Sequence, residues 1–306
     1  MNDKAPTIGV AVITHCAKKH LPRCLPPLLN SLFKPRVVVV NSSSRDGTVE
    51  LAETLGAETL VIPRSEFNHG LTREKARRYL GTDIVMMVTP DAYALNDQTL
   101  GHLVTPLLNS QASIAYARQI PHEGADFFES FSREFNYPLQ SHLRGIQDVS
   151  RYGIYTFFCS NSFAAYNNAA LEEIGGFPHV LLGEDTVVVA NLLQKGHKIA
   201  YVAEAVVRHS HRYTLKQEFQ RHFDTGLARN GYRHLIASGG KDSQRGKTYV
   251  RHMFNKLIKE EPVLLPYACL QTLTKWMGYR LGEYSAHAPV WLKKTFSSQD
   301  FYWQNN

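Results

Sequence analysis

The chain reads as an α/β protein with a mostly parallel sheet, helices on both of its faces and a helical extension at the carboxyl end. Three observations carry this reading. Up to about residue 120, short apolar runs alternate with helix-length segments. The runs are also unbroken, as suits strands buried on both faces, where a half-exposed strand would alternate apolar with polar. Beyond residue 212 the strand-like runs stop and apolar residues recur at helical spacing.

In order, Ile8–Ile13, Val37–Val40, Thr59–Ile62, Ile84–Val88 and Ser113–Ala117 read as strands, with helices at Thr48–Leu55, Leu71–Leu80 and Thr99–Leu108 between them. Repeated strand–helix units imply right-handed crossovers and parallel pairing. Residues 121–150 lose that rhythm; Phe127, Phe128, Phe131, Phe135 and Tyr137 suggest short helices and loop, a lid or acceptor wall. Regularity returns with a strand at Tyr155–Cys159, a helix near Ala169–Ile174 closed by Gly175-Gly176, and a helix from Glu184 to Lys195 stopped by Gly196. Ile199–Val202 and Ala205–His209 are again strand-like. In the tail, Thr214 and Gln217 fit a capping box ahead of Leu215, Phe219, Phe223 and Leu227 on one face. A second stripe, Val250, Met253, Phe254, Leu257 and Ile258, ends at Pro262, and a last helix spans about Leu264–Leu281. These breaks divide the chain into residues 1–212, with halves 1–120 and 121–212, and an extension, 213–306.

At 306 residues, 43% apolar and 20% charged, the chain has ordinary globular composition, and no stretch approaches the ~18 apolar residues a spanning helix needs. The polar residues 1–7 lead straight into a strand and read without a secretory leader. Cys16, Cys24, Cys159 and Cys269 are scattered, which suits reduced thiols in a cytoplasmic protein better than a disulfide frame or zinc site. The net charge of +7 is uneven: residues 208–294 hold 16 Lys and Arg against 6 Asp and Glu, a net +10, leaving −3 elsewhere. A basic tail on a near-neutral body suits an anionic partner such as a diphosphate, a phospholipid surface or a nucleic acid. The stripe at 250–258, with Arg251, Lys256 and Lys259 off it, can lie on an anionic bilayer or pack against the rest of the chain.

Five short segments could carry chemistry. Ile84–Val88 runs into Thr89-Pro90-Asp91, and ligands of open α/β sheets sit beyond such strand ends. Asn41-Ser42-Ser43-Ser44-Arg45-Asp46-Gly47-Thr48 puts small polar groups in the same position before a helix, where they can read a base or ribose, although no Gly-rich phosphate loop is present. Arg73, on the helix after Phe67-Asn68-His69-Gly70, offers a planar fork for a phosphate or base edge, or is a surface residue. Glu184 and Asp185 open a helix, as the helix dipole favours, and either could serve as a general base. His209 and His211, two apart in an extended run, can face one site and complete a mixed oxygen–nitrogen metal site with Asp91.

Taken together, these segments resemble an inverting family-2 glycosyltransferase of the GT-A fold, a Rossmann-like nucleotide-diphospho-sugar transferase. More narrowly they resemble the rhamnosyltransferases of bacterial surface polysaccharide assembly. The resemblance covers about residues 7–230 and, weakly, Met277–Leu281-Gly282 and Tyr302-Trp303. It implies Asp185 as the catalytic base, Glu184 beside it on the acceptor side, and Asp91 with His209, or His211, as ligands of Mg2+ or Mn2+. It implies Thr14, Asn41 and Ser43 around the base, and Arg73, Thr89, Asn161 and Ser162 around the donor sugar and diphosphate. Thr89 stands where the family's Asp-x-Asp motif has its first Asp, and Asn41 where an Asp is usual; an amide oxygen still accepts from a pyrimidine N3–H. The implied donor is dTDP-L-rhamnose, or another dTDP- or UDP-sugar. The implied acceptor is a polyprenyl-diphosphate-linked saccharide at the cytoplasmic face of the inner membrane, with no nucleic acid involved. A sugar nucleotidyltransferase would need a Gly-rich basic loop where this chain has Thr14-His15-Cys16-Ala17-Lys18-Lys19. A basic anion-binding module without catalysis is the remaining alternative.

Overall fold

In the computed structural model, which describes residues 5–299 and 301–304, nine strands form one mixed sheet in the order β3-β2-β1-β4-β8-β6-β9-β5, with β7 on β9. Residues 1–4, part of the polar start read above, lie outside the described residues. The strands are β1 (Ile8–Thr14), β2 (Arg36–Asn41), β3 (Glu58–Val61), β4 (Ile84–Val88), β5 (Tyr93–Ala94), β6 (Ile114–Ile120), β7 (His142–Arg144), β8 (Phe163–Asn167) and β9 (Ile199–Arg208). The helices are α1 (Leu21–Leu29), α2 (Thr48–Thr54), α3 (His69–Leu80), α4 (Thr99–Leu108), α5 (Phe127–Asn136), α6 (Val149–Tyr152), α7 (Asn168–Glu173), α8 (Glu184–Gln194), α9 (Leu215–Ile236), α10 (Asp242–Glu260), α11 (Leu265–Tyr284) and α12 (Val290–Phe296).

The unbroken apolar runs explain the layering. Along β1, β2 and β4, Ala11, Ile13, Val38, Val40, Val85 and Met87 enter one core, while Val10, Val12, Val37, Val39, Met86 and Val88 enter another on the opposite face. β1, β2, β3 and β4 pair in parallel, so Thr14, Asn41 and the residue after Val88 reach one edge together. β8 runs antiparallel to β4, with Val88 opposite Phe163, which returns the chain to that edge at Ser162. β6 and β9 are parallel to each other and deliver His209 there as well, its amide bonded to the Ile120 carbonyl at 2.9 Å.

The sequence reading needs three corrections, and one open alternative is decided. The segment Tyr155–Cys159 is not a strand: Gly153–Phe157 is a 3-10 turn, held by the fully buried Arg144, whose guanidinium bonds the Tyr155 and Phe158 carbonyls and the Tyr116 hydroxyl. The strand that does occur is β8, hidden in Phe-Ala-Ala-Tyr-Asn because paired alanines carry no β signal. α1 was unread because it holds Pro22, Pro26 and Pro27, yet Leu21, Cys24, Leu25 and Leu28 recur at helical spacing and are all buried. Finally, of the two partners open to the α10 stripe, the rest of the chain takes Met253, Phe254 and Leu257, while Ile258 stays exposed. Met253 and Leu257 are buried against Phe131 of α5 and Ala268 of α11, with Phe254 packed beside them, and burying each such side chain is worth about 1.5–3 kcal/mol.

The two runs at Ile199–Val202 and Ala205–His209 prove to be one strand with a bulge, since Ala117 pairs Val202 while Arg118 pairs Val206. α11 lies tight on α9. A Cβ at Gly226 would meet the Tyr279 carbonyl oxygen at 2.1 Å, one at Gly278 the Phe219 carbonyl at 2.4 Å, and one at Gly282 the Phe223 carbonyl at 2.0 Å. Those three glycines let the backbones approach, and they leave the other side of α11 turned outward.

Candidate active site at the carboxyl edge of the sheet

Asp91 follows β4 through a turn in which the Ala92 amide donates to the Thr89 carbonyl at 3.0 Å. Its Oδ2 lies 3.6 Å from His209 Nε2 and 3.4 Å from His211 Nε2. One ligand atom from each residue falls within 4.8 Å of the others. The extended run after β9 therefore aims both imidazoles at one carboxylate, as its period of two requires.

The hydrogen bonds around this cluster decide its chemistry. Gln119 donates its amide nitrogen to Ser160 Oγ at 2.9 Å, so its Oε1 accepts from His209 Nδ1, also at 2.9 Å. The Nε2 of His209 then carries the lone pair, and burial pushes this imidazole well below its usual range, which keeps it neutral. Burial alone would raise Asp91, but positive charge at the His209 and His211 positions outweighs it and holds the carboxyl below its usual value. A carboxylate oxygen facing an imidazole lone pair is repulsive unless a cation lies between them. One oxygen and two nitrogen donors in this arrangement fit a divalent metal ion.

Asp185 sits in the first turn of α8. Gly183, just before that helix, has φ +82°, and a Cβ there would lie 2.3 Å from the Tyr232 hydroxyl, so no other residue fits without movement. The neighbouring Glu184 is buried, 3.2 Å from Arg73 Nη1, and accepts from Asn161 Nδ2 at 2.9 Å. Burial works against its ionisation, but Arg73, His69 and Asn161 hold it below its usual value. Asp185 goes the other way. Burial first, and then the Glu184 charge, raise its carboxyl to about 7, against the Thr186 amide, Arg73 and the Asn161 amide. Two adjacent carboxyl groups thus have separated proton affinities, an arrangement that suits one charged positioning group and one proton acceptor.

The loop before β8 ties the two centres together. Ser160 holds Gln119 behind His209, Asn161 holds Glu184, and the Ser162 carbonyl takes the Thr89 amide at 3.1 Å. Asn161 also accepts from the Tyr166 hydroxyl at 2.6 Å. Arg73, besides Glu184, donates to the His69 carbonyl at 2.8 Å. Both residues thus face inward, behind Glu184.

At the ends of β1 and β2, Thr14 and Asn41 are buried and bonded to one another at 3.1 Å, and Asn41 spends its remaining amide groups on Ser44. They form the floor of this corner, and Ser43, at φ +52°, donates to the Ile62 carbonyl at 2.7 Å while remaining exposed. Beside them Asp46 fixes the turn. Burial opposes its charge, but the Thr48 hydroxyl, the Lys18 amide and the Ser44 hydroxyl bring it to about 2. Gln119 and the exposed His15 beside Ser42 were missed by sequence reasoning, because a glutamine in a strand and a histidine in a loop carry no local signal.

Solved structures share this architecture. The mannosyltransferase PcManGT from Pyrobaculum calidifontis, in complex with GDP-Man and Mn2+, is 15% identical with TM-score 0.59, over 93% of this chain and 87% of that one. S. aureus TarS 1-349 in complex with UDP-GlcNAc is 16% identical with TM-score 0.52, over 92% and 91% of the two chains. The fold is GT-A, and the chain is a glycosyltransferase. It belongs to glycosyl transferase family 2, whose model matches residues 9–175. Two curated relatives extend the match over most of the chain. The O-antigen chain rhamnosyltransferase WbaN of Salmonella anatum is 38% identical over 88% of this chain and 86% of its own length. The O-antigen chain rhamnosyltransferase RfbN of Salmonella typhimurium is 36% identical over 90% and 88%.

Proposed function

We propose that the chain transfers L-rhamnose from dTDP-L-rhamnose to a saccharide carried on polyprenyl diphosphate, in the assembly of O-antigen or a related surface polysaccharide, with inversion at the anomeric carbon. The observation that carries this reading is Asp185, a carboxyl brought to about 7 on the loop-linked side of the Asp91 cluster. Near neutrality such a group takes the proton of an acceptor hydroxyl as that oxygen attacks the anomeric carbon and the bond to the nucleoside diphosphate breaks on the opposite face. Two curated relatives named as O-antigen rhamnosyltransferases support the sugar and the pathway.

In this reading Asp91, His209 and His211 would hold Mg2+ or Mn2+, which would supply positive charge to the diphosphate leaving group. Glu184 stays ionised on the acceptor side and keeps Asp185 high, while Arg73 and Asn161 act through Glu184. Thr89 and Ser162 fix the backbone at Asp91. Thr14, Asn41 and Ser43 shape the corner for a pyrimidine. Residues 1–212 are the catalytic unit, donor half first, and 213–306 are a basic extension on the cytoplasmic face of the inner membrane. No helix among the described residues is long and apolar enough to cross a membrane.

Thermal melting with a panel of nucleotide sugars, with and without manganese, tests the donor. A ligand that binds only the folded state at about 100 times its Kd adds about 2.7 kcal/mol of stability. The expected result is the largest upward shift with dTDP-L-rhamnose, enlarged by manganese. An equal or larger shift with GDP-sugars would refute the donor assignment.

A further inference from the structure

A cavity of about 1960 Å³ opens between α5, α9, α10 and α11, with His211 of the Asp91 cluster in its wall. Its carboxylates are already engaged. Asp126 and Glu129 form the reciprocal cap of α5, and Glu129 also takes the Ser210 hydroxyl at 2.8 Å. Glu218 meets Lys275 at 3.1 Å, and Glu283 pairs with Arg233 and Arg280. Three guanidinium groups in the same wall, Arg133, Arg221 and Arg251, have no carboxylate partner among the described residues; Arg221 and Arg251 are exposed, and Arg133 is half-buried. Arg133 Nε is buried without a hydrogen bond. Arg221 lies over the Tyr213 ring at 4.4 Å, and that ring is 5.3 Å from His211. Arg133, Arg221, His211 and Tyr213 all line this one cavity.

A ring face lowers the energy of a cation without neutralising it. Two uncompensated planar forks beside a candidate metal site call for a ligand with several anionic oxygens and bidentate geometry. We propose that Arg133 and Arg221 form a diphosphate clamp in the wall of this cavity that also holds His211. Apolar side chains further along the wall, Phe128, Tyr249, Phe254, Tyr267 and Trp276, leave room for an organic group attached to that diphosphate. The proposal rests on the glycosyl-transfer reading, which supplies two sources of this chemistry: the nucleoside diphosphate of the donor and the prenyl diphosphate of the acceptor.

Isothermal titration of the full chain in manganese buffer, with dTDP and with geranyl diphosphate as separate probes, tests it. The wild type is compared with Arg133→Gln, Arg221→Gln and the double variant, each checked by circular dichroism. At least a fivefold loss of affinity in the double variant, for either probe, is expected, and the probe that suffers identifies the source. Should the glutamine variants melt early, Arg133→Lys with Arg221→Lys carries the test, because lysine keeps the charge and loses the fork; weaker binding is again expected. Wild-type protein that binds neither probe, or variants within fivefold of it for both, would overturn the clamp. Turnover is not read, so the clamp can fall while glycosyl transfer stands, and wild-type dTDP binding checks that reading separately.

Discussion

Glu184 and Asp185 are neighbours in sequence, yet the side chains of Arg73 and Asn161 bond only the first of them, while Asp185 has the weaker help of the Asn161 backbone amide and the more distant Arg73 charge, and that asymmetry gives the pair its use. The sign of the pH effect on stability follows from the raised value. Asp185 moves from 3.8 when unfolded to about 7 when folded, so the folded chain holds this proton more tightly. Between about pH 4 and pH 7 the native state binds more protons than the unfolded one, and stability falls as pH rises; above about 7 the loss levels off. The groups facing it, Glu184, Arg73 and the amides of Thr186 and Asn161, set the size of the effect. Its partial solvent access limits the loss to the order of 1–3 kcal/mol. Urea unfolding of parent and Asp185→Asn from pH 4.5 to 8 should show the variant gaining on the parent as pH rises. A difference that stays flat or shrinks would mean that Asp185 ionises freely. That Asp91, His209 and His211 meet was foreseeable from strand ends and a two-residue spacing, whereas the roles given to them and to Asp185 came from the family resemblance. Gln119, Arg133 and the inward turn of Arg73 were not foreseeable, since only long-range pairing gives them their partners.

At the scale of elements, periodicity located α10 correctly and left its partner undecided. Its stripe found α5 and α11, which leaves the outward side of α11 uncovered. From the turn at Val263, 88% exposed, through Leu270, Leu273 and Met277 to Tyr284, apolar side chains follow one face, with Trp276 and Trp291 close by in sequence and also exposed. The opposite face, with Ala268, Gln271, Gly278 and Gly282, is buried. If the extension sits on the cytoplasmic face of the membrane as proposed above, this outward face is where an anionic bilayer would rest. Of the four Lys and Arg in residues 262–294, Lys275 and Arg280 are paired with Glu218 and Glu283, which leaves Lys293 and Lys294 to add about 1 kcal/mol each near such a surface. Flotation with phosphatidylglycerol vesicles should be salt-sensitive, absent with phosphatidylcholine, and lost in Leu273→Ser with Met277→Ser. A parent protein that ignores anionic vesicles at low salt would end the idea. The prolines of α1 and the alanines of β8 show the reverse failure, where local propensity hid elements that tertiary burial imposes.

Across the whole molecule, the parallel first half of the sheet was readable because each strand is buried on both faces and followed by a helix. The insertion of β8 between β4 and β6 was not, because strand order is fixed by contacts far apart in the chain. That insertion brings Ser160, Asn161 and Ser162 to the edge and joins the Asp91 cluster to the Glu184–Asp185 pair. The central claim is that this joined edge moves a sugar with Asp185 as proton acceptor. Its most direct test is turnover of parent and Asp185→Asn at saturating dTDP-L-rhamnose, lipid-linked acceptor and manganese, with dTDP affinity measured on both. The account predicts normal folding, dTDP affinity within about twofold, and turnover lower by ~100-fold or more. Near-parental turnover by Asp185→Asn would contradict it.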